Sequence, residues 1–167
     1  DKMHGFKKVC LLVVMFAAGL GFSQDKPNIV FFFSDDHAYQ LIGAYNSILK
    51  DYTLTPNLEQ LAEEGMLFTK AYVTNSICAP SRAVVQTGKY GHKNGIRGNG
   101  QNFDGSQNTF PKVLQQAGYQ TAILGKWHLG SEPQGFDYYE VMQGQGAYFS
   151  PRFRQNQDFN NMKTYNE

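Results

Sequence analysis

The sequence feature that most constrains the fold is an apolar run at residues 27–33 that ends in acidic residues. The run reads Pro-Asn-Ile-Val-Phe-Phe-Phe and is followed by Ser34, Asp35 and Asp36. A short segment that is apolar on both faces is typical of a strand buried between layers of helices, as in a parallel sheet. We therefore predict a strand at 27–33 with a pair of carboxylates at its carboxyl end.

Helix and strand patterns alternate along the rest of the chain. The predicted helices have Thr, Pro or Gly at the boundaries where such residues are favoured, and they lie at 56–64, at about 80–87 and at 110–117. Strands are predicted at 66–73, at 119–124 and near 138–142, and the Gly- and Asn-rich stretch 88–108 is predicted as loop. This alternation predicts an α/β fold with a mostly parallel sheet and helices on both faces.

Polar side chains follow three of the predicted strands. The acidic pair Asp35 and Asp36 follows the first strand, Cys78 follows the second, and Lys126 and His128 follow the third. Ligands of open α/β sheets bind outside the carboxyl ends of the strands, so we expect these groups to converge on one edge. Taken one by one, each group has an ordinary structural interpretation: a buried cysteine, a solvated or helix-capping acidic pair, and an exposed Lys and His.

Two motifs change those interpretations. Cys78 begins the pattern Cys-x-Pro-Ser-Arg-x-x-x-x-Thr-Gly, and Lys126 lies in the run Gly-Lys-Trp-His-Leu-Gly. Both resemble signatures of the type I sulfatases, in which the cysteine is oxidised to formylglycine. The resemblance extends from about residue 26 to 148. It implies a fold like that of alkaline phosphatase and the sulfatases, with residues 26–167 as the N-terminal part of a catalytic domain that is incomplete at its C-terminus.

The resemblance also implies roles for individual residues. Formylglycine made from Cys78 would be the nucleophile, Arg82 would hold its diol, Lys126 would contact the sulfate, and His128 would hydrogen-bond around the nucleophile. The metal would be Ca²⁺ rather than Mg²⁺. Its ligands here would be Asp35, Asp36 and position 78, and the remaining ligands would lie after residue 167. His92 is a candidate for substrate contact and His37 is a weaker candidate, because histidines in loops are commonly solvated.

The run at 125–139 is most similar to carbohydrate sulfatases of the N-acetylglucosamine-6-sulfatase kind. That similarity implies a sulfated sugar as substrate, with N-acetylglucosamine 6-sulfate as one candidate, and a sulfatase-maturating enzyme as partner. Two other functions stay open. A phosphatase or phosphodiesterase of the alkaline-phosphatase superfamily would carry Ser or Thr at position 78 and more metal ligands. A truncated, inactive chain that binds sulfated glycans is the other alternative.

Charge and the N-terminal segment bear on partners and location. The chain has 15 Lys and Arg against 14 Asp and Glu, which argues against a nucleic-acid-binding face. Residues 1–23 contain Lys7 and Lys8, an apolar run at 9–20 and small residues before a cleavage position after Ser23. The apolar run is too short to span a bilayer and is typical of a Sec-type signal peptide. We expect export to the periplasm or the medium, with no transmembrane anchor after cleavage.

Overall fold

The computed structural model describes residues 26–156 and 158–164, and the chain divides into two units, residues 1–34 and 35–167. The predicted signal peptide lies outside the described residues. Of the first unit, residues 26–34 are described, and they form no regular secondary structure. No described helix has the length and apolar character that crossing a membrane requires.

The predicted strand at 27–33 is therefore wrong for this structure. Its apolar side chains are exposed, from 43% for Phe33 to 88% for Phe32, and the rings of Phe31 and Phe33 stack with centroids 5.9 Å apart. An apolar run shows that a segment can be buried, but a strand also needs a neighbour that completes its hydrogen-bond ladder. Residues 26–34 have no such ladder.

The second unit contains four α-helices among its described residues. They are α1 (Pro56–Glu64), α2 (Cys78–Thr87), α3 (Gly91–Asn94) and α4 (Phe110–Gln116), and short 3₁₀ turns lie at Tyr39–Leu41, Gly43–Tyr45 and Lys50–Tyr52. Helices α1 and α4 are confirmed within a residue, and both have Pro in the first turn, where its missing N–H costs nothing. Helix α2 is capped after Thr87 by Gly88, whose φ of 64° suits glycine and whose N–H donates to the Val84 carbonyl.

Three details of these predictions need correction. Helix α2 begins at Cys78, two residues earlier than expected, and α3 interrupts the stretch predicted as loop. The segment 66–73, predicted as a strand, has no strand pairing, and Tyr72 is 87% exposed. Its β-forming residue types express a preference for extended backbone, which does not by itself create a partner strand.

A four-stranded sheet forms the C-terminal part of the second unit. Its strands lie in sequence order: β1 (Ala122–Lys126), β2 (Tyr138–Met142), β3 (Arg152–Gln155) and β4 (Asp158–Thr164). Strands β1 and β2 are parallel, with Lys126 opposite Met142, and the other two pairs are antiparallel. The sheet is thus mixed, and the prediction of parallel pairing is met at β1 and β2. The β3–β4 hairpin lies where no strand was predicted, and β1 starts three residues later than predicted.

A small buried cluster joins α2 to the sheet. Its members come from α2, the loop between α3 and α4, the segment that follows β1, and β2: Ala79, Ala83, Ile96, Phe103, Trp127, Leu129, Tyr139 and Val141. Ala79 and Ala83 are four residues apart and so share one face of α2. Small side chains on that face allow the helix to lie close to Trp127 and Leu129. The position of α2 relative to the end of β1 is set by this packing.

The start of the parallel pair is held by reciprocal hydrogen bonds between Thr121 and Asp137. The Thr121 N–H and hydroxyl donate to the Asp137 carboxylate over 2.7 and 3.2 Å, and the Asp137 N–H donates to the Thr121 carbonyl over 2.8 Å. These residues immediately precede β1 and β2, so their bonds hold the starts of the two parallel strands together. The Thr121 backbone N–H is the main cause of a lowered pKa for the Asp137 carboxyl, and a hydrogen bond from Gln115 adds to it.

We predict that Asp137→Ala lowers the midpoint of thermal unfolding by several degrees at pH 7, because Thr121 is buried and its N–H would lose its acceptor. The folded-state pKa lies below the ordinary value of 3.8, so the carboxylate's contribution is present above that pH and is lost as the pH falls through the folded-state pKa. The midpoints of thermal unfolding of Asp137→Ala and of the unsubstituted protein should therefore become equal at acid pH. The exposed Asp51→Ala is the control, and an equal effect from it would contradict the role of the Thr121 bonds.

Candidate active site

Helix α2 presents Cys78 and Arg82 on one side. They are four residues apart, adjacent to the buried face that carries Ala79 and Ala83, and Cys78 is half-buried. Ile77 precedes the helix in extended conformation, and its carbonyl accepts the Ser81 N–H over 3.0 Å. Position 78 is therefore the first residue of the helix, where backbone N–H groups lack helical partners and negative charge is favoured.

One of those N–H groups is satisfied by a side chain from a distant loop. The Ala79 N–H donates to Asn99 Oδ1 over 3.0 Å. The Asn75 side chain donates to the Arg97 carbonyl over 3.4 Å, so the loop after α3 contacts the segment on the N-terminal side of α2. These bonds fix the backbone on both sides of Cys78. Sequence reasoning missed Asn99, because a helix cap supplied from 20 residues away leaves no local pattern.

The ammonium of Lys126, the last residue of β1, lies at the centre of the site. It donates to the Asp35 carboxylate, to Gln145 Oε1 over 2.7 Å and to Cys78 Sγ over 3.6 Å. A lysine ammonium has three donors, and these partners can use all of them. The side chain is only 9% exposed, so its charge is held among these groups rather than in bulk water.

Arg82 supplies a second cation to the same carboxylate. One guanidinium nitrogen is 3.5 Å from Asp35 Oδ1, and another donates to the Lys126 backbone carbonyl over 2.5 Å. Arg82 therefore links α2 to the end of β1 as well as to Asp35. Its predicted role in holding a diol at position 78 stays a prediction.

The site carries more positive than negative charge. Two cations surround one carboxylate, and the hydrogen bond from Lys126 is the main cause of a lowered pKa for Asp35, although partial burial acts in the opposite direction. Asp35 is therefore ionised at neutral pH, and Lys126 and Arg82 are not fully neutralised by it. An arrangement of this kind attracts an anion to the first turn of α2.

His128 lies close to this cluster. Burial is the main cause of a lowered pKa for its imidazole, the positive charges of Lys126 and Arg82 lower it further, and Asp35 acts in the opposite direction. The residue lies beyond the end of β1 with a φ of 52°, so the alternation of side chains along an extended strand does not apply to it. Its Nδ1 atom is buried and has no hydrogen-bond partner in the described part of the chain.

The predicted metal ligands are only partly assembled. Asp35 and Cys78 both contact the Lys126 ammonium, whereas Asp36 has a φ of 51° and shows no bond to either. Among the described residues, no group of three or more His, Cys, Asp or Glu side chains is arranged to hold a metal ion. Of the other histidine candidates, His92 stacks its ring on that of Tyr90, and His37 follows the acidic pair in sequence; their roles stay predictions.

Gln145 was also missed by sequence reasoning. Its amide oxygen lies 2.7 Å from Lys126 Nζ and 3.7 Å from Cys78 Sγ. The signal that could have identified it is its place in Gly144-Gln145-Gly146, three residues after the carboxyl end of β2. Polar residues at the carboxyl ends of parallel strands are favoured candidates for a site, and β2 is parallel to β1.

Comparison with known proteins gives a consistent family. The Sulfatase family model matches residues 27–166. The N-acetylglucosamine-6-O-sulfatase of Bacteroides thetaiotaomicron is 49% identical over 131 residues, which cover 77% of this chain and 23% of that protein. The N-acetylgalactosamine-6-sulfatase of Canis lupus familiaris is 35% identical over 162 residues, or 84% of this chain and 30% of that protein. The chain thus spans between a fifth and a third of the length of these relatives.

Solved structures agree with the fold. One protein, determined in complex with its substrate D-glucosamine-2-N,6-O-disulfate, has a TM-score of 0.78 and 44% identity, and the match covers 85% of this chain and 28% of that one. A sulfatase structure from Bacteroides fragilis has a TM-score of 0.75 at 23% identity and supports the fold alone. The predicted α/β fold of the sulfatase type is confirmed by these neighbours.

We predict that Asp35→Asn lowers the free energy of unfolding by about 1–3 kcal/mol, because it leaves two poorly exposed cations without their shared counter-charge. Urea unfolding in calcium-free buffer, with chloride or sulfate at equal ionic strength, measures this. Sulfate should recover more stability in Asp35→Asn than in the unsubstituted protein, because the anion replaces the lost charge. The neighbouring Asp36→Asn is the matched control, and equal losses in both variants would contradict the charge arrangement.

Proposed function

Because this chain belongs to the sulfatase family, we propose that it forms part of a sulfuric ester hydrolase that removes sulfate from a sulfated sugar. The observation that carries the proposal is the contact of Cys78 with the Lys126 ammonium, 3.6 Å apart, next to Arg82 and Asp35. A nucleophile position beside two cations suits an ester whose leaving group and transferred group both bear negative charge in the transition state.

The proposed nucleophile is formylglycine made from Cys78. Cys78 is a free cysteine at the start of α2, and its side chain is only half-buried. A maturating enzyme would supply the oxidant that converts the Cys78 thiol to an aldehyde with loss of its sulfur. Once hydrated, that group would offer one hydroxyl to attack the ester sulfur, with the sugar leaving as its alcohol, and a second whose proton loss would expel sulfate and restore the aldehyde. A sulfatase-maturating enzyme is therefore a proposed partner.

The residues around position 78 have separate tasks in this reaction. Lys126 binds a sulfate oxygen and reduces the repulsion between the anionic ester and the attacking oxygen. Arg82 holds the carbonyl of Lys126 and the carboxylate of Asp35, which keeps the lysine at the helix terminus. His128 is kept neutral at neutral pH by its lowered pKa, so it can accept a proton from a hydroxyl of the nucleophile.

Calcium is the proposed metal, and the described residues fit it as part of a ligand set. Asp35 offers a carboxylate beside position 78, and Asp36 is the neighbouring carboxylate in sequence. Calcium takes six to eight oxygen ligands, so further ligands must come from other residues. When bound, the ion would polarise the sulfate oxygens and favour the ionised form of the attacking hydroxyl.

The substrate proposal rests on the relatives. The bacterial relative at 49% identity is an N-acetylglucosamine-6-O-sulfatase, and the neighbour at 44% identity was determined with a 6-O-sulfated glucosamine. We accordingly propose a 6-sulfated amino sugar as the substrate. The Sec-type signal proposed at residues 1–23 would deliver the enzyme to the periplasm or the medium, where it would encounter its glycan substrate.

The test compares sulfate release from N-acetylglucosamine 6-sulfate by the protein from its native host and by Cys78→Ala. We expect kcat to fall by roughly a thousandfold or more, because the only proposed nucleophile is removed. Activity is measured after chelation and return of either Ca²⁺ or Mg²⁺, and calcium should restore more of it.

Two comparisons make this test specific. Ser76→Ala, an exposed change two residues from the nucleophile, should leave sulfate release unchanged. The matching sugar 6-phosphate is assayed in parallel, because an alkaline-phosphatase relative would release phosphate faster than sulfate. Such a preference, or full activity in Cys78→Ala, would overturn the proposal.

A further inference from the structure

We propose that Gln145 is a positioning residue that holds the Lys126 ammonium against position 78. This inference rests on the proposed function, since its purpose is to orient the cation that binds the sulfate. Gln145 Oε1 accepts from Lys126 Nζ over 2.7 Å and lies 3.7 Å from Cys78 Sγ, so one acceptor atom contacts both groups. Neither signature motif contains this residue.

The backbone on both sides of Gln145 forms a tight turn that places this residue near the end of β1. Gly144 and Gly146 have φ values of 58° and 82°, which glycine adopts without strain, and the Gly146 N–H donates to the Gln143 carbonyl over 3.0 Å. A Cβ atom at Gly146 would lie 2.8 Å from Met142 Sδ, so glycine also allows the turn to close tightly on β2. Met142 is the residue paired with Lys126 across the parallel ladder. The turn therefore returns Gln145 to the end of β1.

The chemistry of lysine fixes the orientation of the amide. Because an ammonium can only donate, Gln145 must present its oxygen to Lys126 and not its nitrogen. The amide thereby takes up one of the three donors, while Asp35 and Cys78 take the others. The Nε2 donors of Gln145 have no partner among the described residues and can serve a bound anion.

The Gln145 amide matters because Asp35 and position 78 compete to bind the Lys126 ammonium. Asp35 attracts the ammonium by charge, whereas Cys78 Sγ is a weak acceptor at 3.6 Å. Without Gln145, the flexible side chain of Lys126 could bond to Asp35 alone and move away from position 78. More conformational entropy of the lysine side chain would then be lost when it binds a sulfate oxygen. The Gln145 amide therefore favours the conformation in which the Lys126 ammonium lies near position 78.

The test is a double-mutant cycle with Gln145→Met and Lys126→Met in the full-length protein. Methionine has a similar length and flexibility but no amide acceptor. We expect Gln145→Met to lower kcat/KM for sulfate release by about tenfold to a hundredfold, the range for a hydrogen bond to a charged group. In the Lys126→Met background the same change should have no further effect. Gln143→Met, in the same exposed turn, is the matched control and should retain full activity.

A second measurement keeps this inference separate from the proposed reaction. Binding of inorganic sulfate is measured by calorimetry for all four proteins of the cycle, and Gln145→Met should weaken it only where Lys126 is present. Additive losses, or no loss in Gln145→Met, would overturn the positioning role while the proposed function stands. An unsubstituted protein that neither hydrolyses the sugar sulfate nor binds sulfate would overturn both.

Discussion

The site depends on a single ammonium group. Lys126 at the end of β1 joins three segments that are distant in sequence, those of Asp35, Cys78 and Gln145. Its position depends in turn on the start of the sheet, where Thr121 and Asp137 hold the two parallel strands together. A long flexible side chain loses rotamer freedom when it is held in this way, so the sheet, the helix and the glycine turn must all be in place to offset that cost.

The same charge arrangement opposes stability and favours function. Two poorly exposed cations around one carboxylate repel each other, and the fold tolerates them because Arg82 and Lys126 share Asp35 and because Arg82 also donates to a carbonyl. The proposed substrate, a sulfate ester, would supply the missing negative charge. Binding of the proposed substrate is therefore favoured by relief of repulsion that the folded chain already contains, which is a common feature of pre-organised electrostatic sites.

Sequence patterns predicted the helices better than the strands, for a physical reason. Helices α1 and α4 carry their own hydrogen bonds and boundary residues within one segment, so local sequence was sufficient. The runs at 27–33 and 66–73 have apolar and β-branched residues but no ladder, because pairing depends on residues elsewhere. The β3–β4 hairpin was missed for the converse reason, since its polar sequence gains strand structure only through its partners. Cys78, Arg82 and Lys126 were singled out as candidates by their motifs, whereas Gln145 lies in neither motif and would have been suggested only by its place after the carboxyl end of β2.

The measurement that tests this account most directly is mass spectrometry of the tryptic peptide containing Cys78, from protein made in its native host. The account predicts that the thiol is replaced by the aldehyde of formylglycine, detected as loss of sulfur from that residue and by reaction with a hydrazide probe. Peptides from elsewhere in the chain should be unchanged. An intact thiol at position 78 in folded, exported, full-length protein would contradict the claim that Lys126 and α2 are arranged around a formylglycine nucleophile.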